Sequence, residues 1–173
     1  KNLPEIVTHI LATRGVKPEE AEKFLSPKLK DHLPDPLCMK DMDKAVARLV
    51  AAIERKEKIA VFGDYDVDGA TAAAEIHRYF SALGQEVRIY IPDRIAEGYG
   101  PNEQAMQKLA AEGVRLVVTV DCGTSAHAAL AIARQAGMEV IVIDHHLATE
   151  TLPEAVAVVN PNRLDCSSGL GYL

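Results

Sequence analysis

The stretch Ile59-Ala60-Val61-Phe62-Gly63-Asp64-Tyr65-Asp66-Val67-Asp68-Gly69 changes character at its midpoint. Its first half is a short apolar run that reads as a buried strand over residues 58–62. Its second half sets three aspartates at alternate positions. The Gly69 that follows opens an Ala-rich helical stretch over residues 69–83. A strand that runs through a polar turn straight into a helix is the building unit of a parallel α/β sheet.

The same alternation repeats outward from this point. Strands are expected at 86–91, 115–120, 139–143 and 155–159, and helices at 102–112 and 125–136, with Gly113 and Gly137 as helix stops. The strands are rich in Val and Ile and show little polar alternation, as expected where helices cover both faces. The fold class is therefore α/β: a doubly wound, mostly parallel sheet with helices on both faces. A small helical segment precedes it, with helices at 4–14 and 18–25, a proline-broken linker over 26–37, and another helix from Asp41. The expected division is 1–40 for the helical segment and linker, and 41–173 for the α/β domain, truncated at its C-terminal end. No internal repeat or low-complexity tract is present.

The 173 residues are 48% hydrophobic and 25% charged, enough for a core of ordinary size. The net charge of −6 argues against nucleic-acid binding by bulk charge, though not against a local basic groove. There is no Trp and aromatics are 5%, so base-stacking platforms are not evident. Three widely spaced cysteines, Cys38, Cys122 and Cys166, point to reduced thiols and a cytoplasmic protein. No apolar run is long enough to span a membrane. The start at Lys1 and the apolar end Gly169-Leu-Gly-Tyr-Leu173 read as those of a fragment.

In a doubly wound sheet, ligands bind beyond the carboxyl ends of the strands. Asp64, Asp66 and Asp68 follow the first strand, Asp93 and Arg94 the second, Asp121 the third, and Asp144, His145 and His146 the fourth. Carboxylates gathered this closely repel one another, and a cation is what offsets that cost at neutral pH. Aspartates with one or two imidazoles suit Mn²⁺ or Mg²⁺, with Zn²⁺ less apt where thiolates are lacking. Asp121, on a separate strand, can bridge two ions spaced for phosphoryl transfer. Water activated by the ions then serves as nucleophile, so no Ser or Cys is needed. Asp144 fits a residue that orients a histidine rather than a ligand.

Each of these residues has a plainer reading. A lone Asp after a strand is usually a turn former or helix cap. Arg94 is either free to contact a phosphate or held in a surface salt bridge. His9, His32, His77 and His127 read as structural or surface residues, and Cys122 as a small buried one. Asp64-x-Asp66-x-Asp68-Gly69-x₅-Glu75 also satisfies a calcium-loop pattern. That pattern needs a helix before it, where Ile59–Phe62 reads as a strand, and it leaves Asp121 and His145–His146 unexplained. No Gly-rich nucleotide-cofactor loop occurs.

Taken as an ordered set, Val61-Phe-Gly-Asp-Tyr-Asp-Val-Asp-Gly69, Thr119-Val-Asp-Cys-Gly123 and Asp144-His-His146 resemble the motifs of the DHH phosphoesterases. Ile91-Pro-Asp-Arg-Ile-Ala-Glu-Gly-Tyr-Gly100 and Val159-Asn-Pro161 are similar to the RecJ branch, the single-strand-specific 5′→3′ DNA exonucleases. The segments Phe24-Leu25, Leu33-Pro-Asp-Pro36 and Met42-Asp-Lys-Ala45 fit that branch too.

The resemblance implies that Asp64, Asp66, Asp68, Asp121 and His145 are metal ligands. It implies that His146 contacts the scissile phosphate or supports the metals, with Asp66, Asp68, Asp121, His145 and His146 forming the catalytic set. Some members have a histidine where this chain has Phe62, so that ligand is absent here. The resemblance further implies single-stranded DNA as substrate, two Mn²⁺ or Mg²⁺ ions, and possible repair or replication proteins as partners. A later metal-binding Asp and further substrate-gripping domains of the branch are not found in these residues, so the isolated chain is expected to show little nuclease activity. Two alternatives remain at this stage. One is another DHH phosphoesterase acting on oligoribonucleotides, a cyclic dinucleotide or pyrophosphate; the other is a non-catalytic DHH replication scaffold.

Overall fold

A computed structural model of the chain describes residues 3–28 and 35–163, in two units, Lys1–Asp35 and Pro36–Leu173. The expected motif residues Leu33 and Pro34, along with His32, Cys166 and the 169–173 run, lie outside the described residues.

The first unit holds two helices, α1 (Glu5–Thr13) and α2 (Ala21–Leu25). Gly15 stops α1 at φ +71°, a conformation that costs a glycine little. The second helix is shorter than expected. Residues 17–20 form a turn closed by the Glu20 and Ala21 N–H groups donating to the Lys17 and Pro18 carbonyls, and the helix proper starts at Ala21.

The second unit opens with a 3₁₀ turn, Pro36–Cys38, and the helix α3 (Met42–Glu54). Then follow β1 (Ile59–Gly63), α4 (Val67–Ala82), β2 (Val87–Tyr90), α5 (Glu103–Ala111), β3 (Leu116–Val120), α6 (His127–Gln135), β4 (Glu139–Ile143) and β5 (Ala157–Val159). The five strands pair in parallel in the order β2-β1-β3-β4-β5. Strand periodicity sends Ala60, Phe62 and Val117 to one face, where they pack with Met106, Leu109 and Leu130 of α5 and α6. Ile59, Val61, Val118 and Ile141 go to the other face, with Ala52 of α3 and Ala73 and Phe80 of α4. Helices cover both faces, so β1 and β3 are buried at every position, and that is why their sequences do not alternate. Each large aliphatic or aromatic side chain buried this way contributes about 1.5–3 kcal/mol.

Two features of this sheet position the site. After β1 the chain turns through α4 toward β2, on one face. After β3 it turns through α6 toward β4, on the opposite face. The two connections diverge, and a crevice opens between the ends of β1 and β3. The register is the second feature. Gly63 lies beside Val120, Val120 beside Ile143, and Ile143 beside Val159. The residues that follow, Asp64, Asp121, Asp144 and Asn160, therefore stand in one row across four strand ends. Hydrogen bonds from Asp121 N–H to the Ile143 carbonyl (2.9 Å) and from Asp144 N–H to the Val159 carbonyl (3.1 Å) carry the ladder into that row.

Helix α4 starts two residues earlier than expected, at Val67 rather than Gly69. The Asp66 carboxylate caps it, accepting from the Asp68 N–H (3.0 Å) and the Gly69 N–H (3.1 Å), and this draws Val67 and Asp68 into the first turn. Glu75 is consequently exposed on α4 and remote from any loop, which removes the calcium-loop reading. Among the described residues no helix is long and apolar enough to cross a membrane.

Candidate metal centre

The row of strand-end residues builds the site. Asp64 is 3% exposed, and its Oδ1 has no hydrogen-bond partner among the described residues. A buried carboxylate oxygen without a donor costs free energy that a cation would recover. Asp121 sits in the left-handed region, at φ +60°, which is uncommon for a side chain other than glycine, though Asp is among those that tolerate it. This backbone costs on the order of 1–3 kcal/mol and is typical of functional positions.

Two groups of donors meet at Asp121. One is Asp64, Asp66 and Asp121; the other is Asp121, His145 and His146, and within each group the ligand atoms lie within 4.8 Å of one another. Asp121 belongs to both, as a bridging carboxylate must. His145 Nε2 is 2.9 Å from Asp121 Oδ1. Four of the five residues expected as ligands thus converge. Asp68 stands outside both groups, exposed on the first turn of α4.

The electrostatics follow from the crowding. Burial and the charge of Asp66 push the Asp121 carboxyl up from its ordinary value. Asp66 goes down, chiefly because the Gly69 N–H donates to its charged form. Asp144 is buried, which by itself would raise it. The pairing with His146 and the Thr124 N–H outweighs that and holds it low. Burial would lower His146, yet the adjacent Asp144 carboxylate raises it overall.

Asp144 is found where a histidine-orienting residue should be. Its Oδ1 accepts from His146 Nδ1 at 2.7 Å and from the His145 and His146 backbone N–H groups, and its Oδ2 accepts from the Thr124 N–H. Cys122 is fully buried and burial pushes its thiol up, so it offers no nucleophile. Phe62 is a fully buried core residue stacked on Tyr90 (5.2 Å, 11°). The donor set is carboxylate and imidazole without thiolate, which fits Mn²⁺ or Mg²⁺.

Residues 58–173 match the family described as "DHH family, N-terminal domain". The chain belongs to the DHH family. Within it, the chain is 39% identical over 167 residues to the "Single-stranded-DNA-specific exonuclease RecJ" of Bacillus subtilis (strain 168), covering 96% of this chain and 21% of that one. A solved structure described as "exonuclease RecJ bound to manganese" superposes with a TM-score of 0.70 at 38% identity, over 77% of this chain and 34% of that one. A second, "RecJ in complex with Mn2+" from Thermus thermophilus, gives 0.68 at 30% identity, over 99% and 27%. The chain thus spans about a fifth of the length of the curated B. subtilis relative.

The DHH triplet explains only part of this centre. Asn160, fully buried, donates to Thr124 Oγ1 (2.9 Å) and to the His146 carbonyl (2.8 Å), and Asn162 donates to the His145 carbonyl. Tyr99 donates to the Asp121 carbonyl (3.3 Å) and stands beside the His146 ring. None of the three has a side-chain role that the sequence alone assigns. Asn160 could have been found by the strand-end rule that found the aspartates. Tyr99 could not, because its contacts are 22 and 47 residues away.

Asp144→Asn is expected to weaken Mn²⁺ binding by about tenfold, because the Asp144 carboxylate fixes the backbone that carries the candidate ligand His145 as well as the His146 ring. Its amide NH₂ would face the Thr124 N–H, donor against donor. Calorimetric titration with Mn²⁺ checks this. The lowered Asp144 carboxyl stabilises the fold above about pH 3.8, and that contribution fades as pH falls through its lowered value. The variant should therefore lose the corresponding acid limb of Tm against pH.

Proposed function

We propose that this chain is the metal-binding part of a hydrolase that cleaves phosphodiester bonds in single-stranded DNA, exonucleolytically from a 5′ end, with Mn²⁺ or Mg²⁺. The observation that carries the reading is the pair of donor groups sharing Asp121 at the sheet's switch point. The names of the relatives and the manganese in the two superposed structures support it.

In this reading Asp64, Asp66 and Asp121 would hold one ion, and Asp121 and His145 would hold the other. Asp68 contributes from the open side of the cluster. The ions supply Lewis acidity toward the phosphoryl oxygens and lower the pKa of water. Asp144 keeps His146 oriented through the 2.7 Å contact to its Nδ1 and raises its pKa, which favours a ring that donates to a bound phosphate. Arg94 has no ion pair among the described residues, which favours the phosphate-contact role over a surface salt bridge. The same reading places the protein in the cytoplasm, with repair or replication proteins as partners. A scaffold would gain nothing from keeping a strained Asp121 and an orphaned Asp64 oxygen.

The test is degradation by the full-length protein of labelled single-stranded DNA, the matching duplex and a short RNA. Mn²⁺-dependent release of nucleotides from the single DNA strand, abolished by EDTA, is expected. Faster turnover of the RNA, or indifference to metal, would overturn the reading.

A further inference from the structure

The histidine loop after β4 is gripped from two sides. The Asp144 carboxylate accepts from the His145 and His146 N–H groups (2.7 and 3.1 Å). On the other side, the Asn162 amide donates to the His145 carbonyl and the Asn160 amide to the His146 carbonyl (2.8 Å). The peptide group that joins His145 to His146 is thus held at both ends, its N–H by Asp144 and its carbonyl by Asn162. The second grip is only as firm as the turn that carries it. Asn160 Oδ1 closes that turn by accepting from the Asn162 N–H (2.7 Å). The strand before it, β5, has three residues and lies at the sheet edge.

An ion pair from a distant part of the chain closes that edge. Val158 offers its N–H and carbonyl on the outer side of β5. Asp41 Oδ2 accepts from the N–H (3.4 Å), and Arg163 Nη1 donates to the carbonyl (2.7 Å). The two side chains meet at 2.5 Å across 122 residues of sequence. Arg163 is 7% exposed, and taking a charge out of water is costly enough that an apolar pair of equal volume would often serve stability as well. Asp41 adds a second cost, a left-handed backbone at φ +62°. What an apolar pair cannot supply is direction. The planar guanidinium fixes Arg163 against two partners at once, and with it the turn that ends on Arg163.

We propose that Arg163 is a positioning residue: clamped between Asp41 and the Val158 carbonyl, it fixes the turn from which Asn162 sets the peptide, and hence the ring, of His145. The assignment rests on the metal-centre reading above. It gives the Asp41 end of α3 a part in ion binding without contact with an ion.

The experiment titrates the full-length protein with Mn²⁺ by calorimetry and records Tm without metal for each variant. Arg163→Met should weaken Mn²⁺ binding by about tenfold, the scale on which a residue supporting a ligand acts. Asn162→Ala should do the same with Tm close to wild type, since its side chain is partly exposed. The double variant should bind no more weakly than either single one, because both break one chain of contacts. Arg163→Lys, which keeps a cation on Asp41, should recover most of the lost affinity. An ion pair that serves stability alone predicts a lower Tm for Arg163→Met with Mn²⁺ affinity unchanged, or losses that add in full in the double variant. Either result overturns the assignment. If Arg163→Met does not fold, Asp41→Asn takes its place in the cycle, since asparagine also tolerates the left-handed backbone, and the same two results decide. A wild type without Mn²⁺ affinity overturns the metal-centre reading itself. Wild-type binding with unaffected variants overturns the assignment alone.

Discussion

Asp121→Asn is expected to abolish tight Mn²⁺ binding and to lower phosphodiester hydrolysis by on the order of 10³-fold or more. Asp121 is the one residue shared by both donor groups, so its loss opens both at once. Losing a charge that would serve both ions would forfeit several kcal/mol of transition-state stabilisation, and each 1.36 kcal/mol is about tenfold in rate. Asparagine is the informative substitution because it also tolerates the left-handed backbone at φ +60°. The fold should survive and far-UV dichroism should be unchanged, while calorimetry shows weakened or missing ion sites.

The pH dependence separates the two proteins further. Burial and Asp66 hold the Asp121 carboxyl protonated to higher pH than usual. A cation must displace that proton, so wild-type affinity should climb as pH rises through the raised value and then level off. The variant should lack that component. Wild-type-like Mn²⁺ affinity in Asp121→Asn would remove the two-ion centre from consideration.

Gly69→Ala is expected to destabilise the protein by about 3 kcal/mol, lowering Tm by roughly 10 °C, and to damage ion binding as well. The sign is opposite to what helix propensity alone gives, since alanine within a helix is favoured over glycine by about 1 kcal/mol. The reason is a close approach. A Cβ at Gly69 would stand 2.5 Å from both the N and the O of Asp64 and 2.7 Å from its Cα. All three are backbone atoms just past the end of β1, so no side chain can swing away. Either the first turn of α4 shifts, undoing the Asp66 cap, or Asp64 moves out of the row. Thermal and urea unfolding measure the first consequence, and Mn²⁺ titration the second. A variant with wild-type Tm would show that the turn can slide at little cost.

The strand-end rule made most of this centre legible in advance. Asp64, Asp121, Asp144 and the two histidines were found because parallel strands deliver whatever follows them to one edge. The sequence could not show the register, which turns a shared edge into a level row. It also could not show that Asp66 would cap α4. Two principles compete there: Gly69 reads as a helix opener, but a carboxylate with free N–H groups two and three residues ahead wins, and the helix begins at Val67. The same displacement leaves Asp68 exposed. The calcium-loop pattern illustrates the limit of spacing without context, because its residues all match while the strand before it and Glu75 on the helix do not. Thr124 and Asn160 lie 36 residues apart and meet only through the fold.

The diverging connections at the switch point separate two kinds of change. The carboxylates are anchored at the ends of β1 and β3, inside a sheet whose interior tolerates little alteration. Arg94 and Tyr99 ride instead on the connection between β2 and α5, outside the strands, where residues can change without altering the strand order. Descendants of such a chain can therefore acquire a new preferred substrate while inheriting the chemistry intact. The division between a constant reaction and a variable clientele is built into the order in which five strands lie side by side.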